Sequence, residues 1–223
     1  MFGNDWQYVN ELFPDINIYL ETIKQKKRAF VYHRNEIIKI IDSVITNLEK
    51  GFYYCSGDTK KTENDLDFLI NIHFSGFLIN TISSFDVLSC LINNVYECGE
   101  SKPDFFRING KIISRRCNTE LAKIIKINDW YIELNKYRRI NTHRRIIEFK
   151  IKEENNITMS NPKSKRYDIF IPDDPEAKEF TFNKNKTLKH FLEKIDKNLD
   201  QNLQKIYNAI EKDVKELDVK EII

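Results

Sequence analysis

Apolar residues set the frame of this chain. Ile16, Leu20 and Ile23, then Ile37, Ile41, Val44, Ile45 and Leu48, recur at steps of three and four, with Gly51 as a stop. That is one face of a 3.6-residue helix, and it predicts one or two helices over about 14–50. Thr62-Glu-Asn-Asp65 has the order of a capping box, with Asp65 shorter than the usual Glu or Gln, and predicts a helix over about 63–97 that is apolar on most sides. Asp86 within it places a carboxylate among apolar neighbours and should find a hydrogen bond or an arginine. Residues 99–118 contain Pro103 and an Asn109-Gly110 pair between FFRI and KIIS, the signal of a small hairpin.

Helix resumes over about 119–146, and Asn128 or Asp129 can cap a fresh start within it. IEFKI (147–151) and YDIFI (167–171) alternate as strands do and are expected to pair across a polar loop, ended by Pro172 and Pro175. The last helix, about 186–218, carries apolar residues at 188, 192, 195, 199, 203, 206, 210, 214 and 217. Eleven residues per three turns nearly matches an undistorted helix, so this stripe predicts a straight helix with one face in a core. Prolines fall only at 14, 103, 162, 172 and 175, leaving long intervals for helices. The expectation is a mainly all-α, up-and-down bundle with a β-hairpin appendage, a single domain over residues 1–223.

Composition narrows the chemistry. The net charge is +2 across 36 basic and 34 acidic side chains, so attraction to nucleic acid or anionic membrane must be local. Cys55, Cys90, Cys98 and Cys117 form no CxxC pair, and the histidines lie apart at 33, 73, 143 and 190, which argues against a zinc site or other metal cofactor. The first residues lack the basic-then-apolar order of a signal peptide, and Asp67, His73, Asn80 and Asp86 interrupt the apolar stretch 66–96. A cytoplasmic chain without a membrane span is expected.

The candidate chemistry lies in residues 128–152, where Arg138, Arg139, His143, Arg144 and Arg145 crowd into eight positions. Imidazole is the side chain that titrates nearest neutrality, and guanidinium forks match phosphate oxygens. The ordinary alternative is a solvated helix face whose arginines pair with Glu133, Glu148 or acidic residues of a neighbour. Trp130, Tyr131 and Tyr137 are of a type to stack on unpaired bases, or else to fill the core.

Tyr137-Arg-Arg-Ile-Asn-Thr-His143-Arg144 resembles the Arg-x4-His motif of HEPN domains. The layout from about 63 to 218 also resembles a HEPN-like bacterial subfamily, with an SFDVL helix, the Arg/His helix, a strand-like passage, a PDDP segment and a long terminal helix. The resemblance implies a homodimeric helical bundle acting as a metal-independent endoribonuclease of toxin or phage-defence type, with a cognate antitoxin or defence-system protein as partner. It implies that Arg138 holds the scissile phosphate and His143 moves the proton, leaving a cyclic phosphate. Lys136, Arg144 and Arg145 would guide the RNA backbone, and Asn141 would lie within the site. Arg139 stands where the family has a small polar residue, so a second guanidinium would reach the same phosphate. No Tyr follows His143, so control by modification at that place is not implied. Arg28-Ala-Phe-Val-Tyr-His33 repeats the spacing, but its intervening residues are mostly apolar and it lies in the first helical region. The competing reading is a non-catalytic HEPN-like module that binds a protein partner, or RNA without cutting it, through the same basic face.

Overall fold

The computed structural model describes residues 15–50, 59–114, 121, 124–125, 129–154 and 166–221. The elements are α1 (Ile16–Glu49), α2 (Thr59–Val95), α3 (Phe105–Ser114), α4 (Asp129–His143), β1 (Lys150–Glu154), β2 (Arg166–Phe170) and α5 (Leu188–Glu221). The fold is mainly helical with a small two-stranded antiparallel sheet, as the apolar spacing predicts. Contacts group the chain into two compact units. One comprises Met1–Arg28, Asn80–Ile132 and Lys197–Ile223; the other comprises Ala29–Ile79 and Glu133–Asp196.

In the first unit, Ile16, Leu20 and Ile23 of α1, Leu88, Leu91, Ile92 and Val95 of α2, and Leu199, Leu203, Ile206, Ile210 and Val214 of α5 are buried. Phe85 is the aromatic centre, its ring 4.9 Å from Phe105 and 5.1 Å from Tyr131. Asp86 is half-buried, and its charge joins burial in pushing the Cys90 thiol up, burial being the larger cause.

Where a hairpin was expected over 99–118, Phe105–Ser114 form helix α3 instead, and residues 115–118 lie outside the described residues. The Asp104 carboxylate accepts from the Arg107 amide at 3.0 Å, so the residue after Pro103 is the N-cap and the helix starts at Phe105. Asn109 is buried, and its amide group donates to the Ile125 carbonyl at 2.9 Å. An Asn-Gly pair thus sits inside a helix because the cap and an apolar face of Phe105 and Ile108 outweigh its turn preference.

In the second unit, Phe74 packs among Phe77, Tyr137, Phe149 and Phe191 with ring centroids 5.7–6.1 Å apart. β1 and β2 pair antiparallel from Lys150↔Phe170 to Glu154↔Arg166. The first strand therefore begins three residues later than expected. The Ile147 amide donates to the Asn71 side chain at 3.2 Å, the Asn71 amide group donates back to the Ile147 carbonyl at 2.7 Å, and the Phe149 amide donates to Asp67 at 3.1 Å. Side chains of α2 thus occupy peptide groups that a partner strand would otherwise take.

Helix α2 begins at Thr59, ahead of the expected capping box, so residues 62–65 lie inside its first turns. Gly51 and residues 119–120, 122–123 and 126–128 lie outside the described residues, and α4 makes its own start at Asp129. Leu66–Val95 is long and apolar enough to cross a membrane by length and composition, yet 56% of that window is buried inside the protein. That share fits a core helix. At its far end Asn93 clasps the Glu100 peptide, accepting from its amide at 3.0 Å, and Gly99 takes a φ of 71° that closes the turn.

All eight described positions of the α5 repeat, Leu188 through Val214, are buried. Leu199→Ala is therefore expected to lower the free energy of unfolding in urea by about 2–5 kcal/mol, while exposed Gln204→Ala changes it by less than about 0.5 kcal/mol.

Candidate functional site

The basic segment occupies the end of α4 within the second unit, beside the chain that follows β2. That chain folds around one carboxylate. Asp173 accepts from the Thr181 hydroxyl at 3.0 Å, the Asn183 amide at 2.7 Å and the Lys184 amide at 2.9 Å. Burial pushes its carboxyl up, but these donors override that and hold it below the usual carboxylate range. The Thr187 hydroxyl then accepts from the His190 amide at 3.3 Å, the cap that opens α5.

This loop, 171–187, is fastened to α4 by a buried tyrosine. Tyr137 is fully buried, its hydroxyl donates to the Pro172 carbonyl, and it accepts from the Lys186 ammonium at 3.3 Å. Burial pushes the phenol far up, with Glu133, Asp173 and Asp174 adding to the effect. Burial would also raise Glu133, but Lys186 at 2.6 Å and Lys194 at 3.2 Å hold its carboxyl low. Lys186 therefore ties the loop to α4 through both Glu133 and Tyr137.

Several cations of α4 and of the turn that follows it are committed to the loop. Arg139 pairs with Glu176, and Lys136 stands 3.9 Å from the same carboxylate. Arg145 donates to the Lys178 carbonyl at 2.9 Å, the Pro175 carbonyl at 3.1 Å and the Ala177 carbonyl, with its guanidinium 3.8 Å over the Phe180 ring. Asn141 accepts from the Ser75 hydroxyl at 2.6 Å and donates to Asn71 at 3.1 Å, so its amide ties α4 to α2 within this unit.

Arg138, His143 and Arg144 are different. Arg138 is half-buried and the other two are exposed, and no side-chain hydrogen bond or ion pair engages them among the described residues. His143 and Arg144 stand at the carbonyl end of α4, where the Arg144 and Arg145 amides both donate to the Ile140 carbonyl at 3.0 and 3.1 Å, and Arg138 lies five residues before His143 in the same helix. A helix carbonyl end repels anions, so a phosphate there must be met by side chains rather than by backbone amides. Trp130, Tyr131 and Tyr137 are buried, so of the two roles expected for them they fill the core rather than offer stacking faces to bases.

A groove of about 530 Å³ lies in the first unit, lined by Ile23, Leu203 and Tyr207 with Lys24, Lys27 and Lys205. None of its lining residues belongs to the basic segment. Among the described residues, no group of three or more His, Cys, Asp or Glu side chains is placed to hold a metal ion. The second Arg-x4-His spacing leads somewhere unexpected: His33 Nδ1 lies 3.2 Å from His73 Nδ1. Forty residues separate the two, so no local spacing could announce the pair.

No protein-family model matches the chain, and comparison with curated proteins and with solved structures finds no match.

Asp173→Ala removes the acceptor shared by three donors, and faster hydrogen exchange at the Asn183 and Lys184 amides is expected. In the unchanged protein the sign follows from the lowered carboxyl. Loop stability is present above the unfolded value near 3.8 and is lost as pH falls through the lower folded value, so these amides should lose protection only in strong acid.

Proposed function

We propose that this chain is a HEPN-like, metal-independent endoribonuclease of toxin or phage-defence type, working on RNA in the cytoplasm with Arg138 and His143 as its catalytic pair. One observation carries the reading. Where Lys136, Arg139 and Arg145 are drawn into the 171–187 loop, Arg138, His143 and Arg144 are left without side-chain partners among the described residues. Unpartnered cations beside a titratable imidazole suit a phosphodiester, since no internal ion pair has to break before the ligand is met.

In this scheme the His143 imidazole takes the proton of a ribose 2′-hydroxyl, and that oxygen attacks the adjacent phosphorus. The bond to the 5′-oxygen breaks, the leaving oxygen acquires a proton, and a cyclic phosphate remains. Arg138 balances charge on the non-bridging oxygens and Arg144 holds a neighbouring phosphate. A homodimer that sets two such helix ends against each other would supply base and acid together, and a cognate antitoxin or defence-system protein would restrain it. Arg139 no longer competes for the phosphate on this reading, because Glu176 occupies it.

A second reading has its own support. Lys136, Arg139, Asn141 and Arg145, four positions of a kind to contact substrate, serve the protein's own packing. A non-catalytic module that binds RNA or a protein partner needs nothing more than the remaining cations. Purified protein incubated with mixed single-stranded RNA in excess chelator separates the two. The enzyme predicts scission that falls roughly 100-fold or more in His143→Ala and persists in His190→Ala, an exposed histidine on α5. RNA retention without scission in the unchanged protein would sink the catalytic role.

A further inference from the structure

We propose that His33 and His73 form a two-histidine site for a divalent first-row transition ion, zinc or copper by its chemistry, with water completing the coordination. The two residues come from α1 and α2 within the second unit, and their Nδ1 atoms are 3.2 Å apart. Two imidazole nitrogens each about 2.0–2.1 Å from one zinc are separated by roughly 3.3 Å at a tetrahedral angle and roughly 2.9 Å at a right angle. The observed separation falls inside that interval. Imidazole is also the ligand these ions share, whereas magnesium and calcium prefer oxygen.

The pair is held in place. A Cβ at Gly76 would overlap the Cε1–Nε2–Cδ2 edge of the His33 ring, so the absent side chain lets that edge lie against α2 and turns Nδ1 toward His73. Tyr32, more than half exposed, flanks both rings with centroids 5.3 and 6.1 Å away. Both imidazoles are half-buried, so water and an ion can reach them.

Electrostatics points the same way. Burial, and then the charge of His73, lowers the His33 pKa, so the packing of this ring disfavours its charged form. Glu36 lies one turn from His33. Its carboxylate accepts from the Lys39 ammonium at 2.6 Å, and its carboxyl is held low first by that bond and further by His73. A metal bound between the rings would replace the hydrogen bond that joins the two Nδ1 atoms with a shared partner. This site is separate from the basic end of α4 and does not depend on the ribonuclease reading.

Isothermal titration of the full chain with zinc chloride near pH 7.5 tests it, alongside histidine ring resonances followed by NMR. The expected result is one zinc per chain, with His33 and His73 signals shifting first while His143 and His190 stay put. Affinity should fall roughly 10-fold or more in His73→Gln, and to a similar degree in Gly76→Ala, which keeps both ligands but displaces one ring. Absence of zinc uptake, unchanged affinity in His73→Gln, or movement of all four histidines together would overturn the site. Because the resonance experiment uses the unchanged protein, a variant that fails to fold leaves the test intact.

Discussion

A buried tyrosine hydroxyl constrains how the loop after β2 meets α4 in the second unit. Tyr137 is sealed from water, so its hydroxyl must be satisfied internally, and the Pro172 carbonyl and Lys186 ammonium do so. Leaving a buried polar group unmatched costs about 1–3 kcal/mol, which is large beside an exposed ion pair at about 0–1 kcal/mol. The loop after β2 is therefore positioned by Tyr137 and by the Asp173 hub. Its contacts with the α4 arginines follow from that placement rather than cause it.

That order of strength sorts the basic residues. Arg139 and Lys136 meet Glu176 in a half-open setting, where the attraction is modest and screened by salt. Arg145 is held more firmly, because three carbonyls and an aromatic face share one guanidinium. The cations that remain are Arg138 within α4 and Arg144 just past its carbonyl end, beside His143 in the sequence. A cluster that looks uniform along the chain is thus divided, by the fold of a loop some thirty residues away, into a structural set and an available set. The functional proposal belongs to the second set alone.

The long helices were legible because their apolar residues keep a strict three-and-four spacing, and the α5 repeat reads directly as a buried stripe. Local signals failed where tertiary partners intervened. Asn109-Gly110 has turn chemistry, yet the Asp104 cap and the bond from Asn109 to Ile125 make it helical. The strand expected from residue 147 begins at Lys150, since Asn71 and Asp67 of α2 claim the intervening peptides. That arginines here could pair with acidic residues of a neighbour was legible, but not which ones or with what, because PDDPEAK shows no periodicity that would bring Glu176 to α4. Scattered histidines argued against a metal site by spacing, and only the packing of α1 on α2 around Gly76 brings two of them together.

The division of the basic residues is the central claim, and the salt dependence of single-stranded RNA affinity measures it most directly. Each phosphate contact contributes about 0.7 to the slope of log affinity against log salt. Arg138→Gln and Arg144→Gln should each lessen that slope by about one contact, while Arg139→Gln and Arg145→Gln leave it unchanged. If the second pair lessens the slope as much as the first, or the first pair leaves it untouched, the loop does not partition the cations in this way.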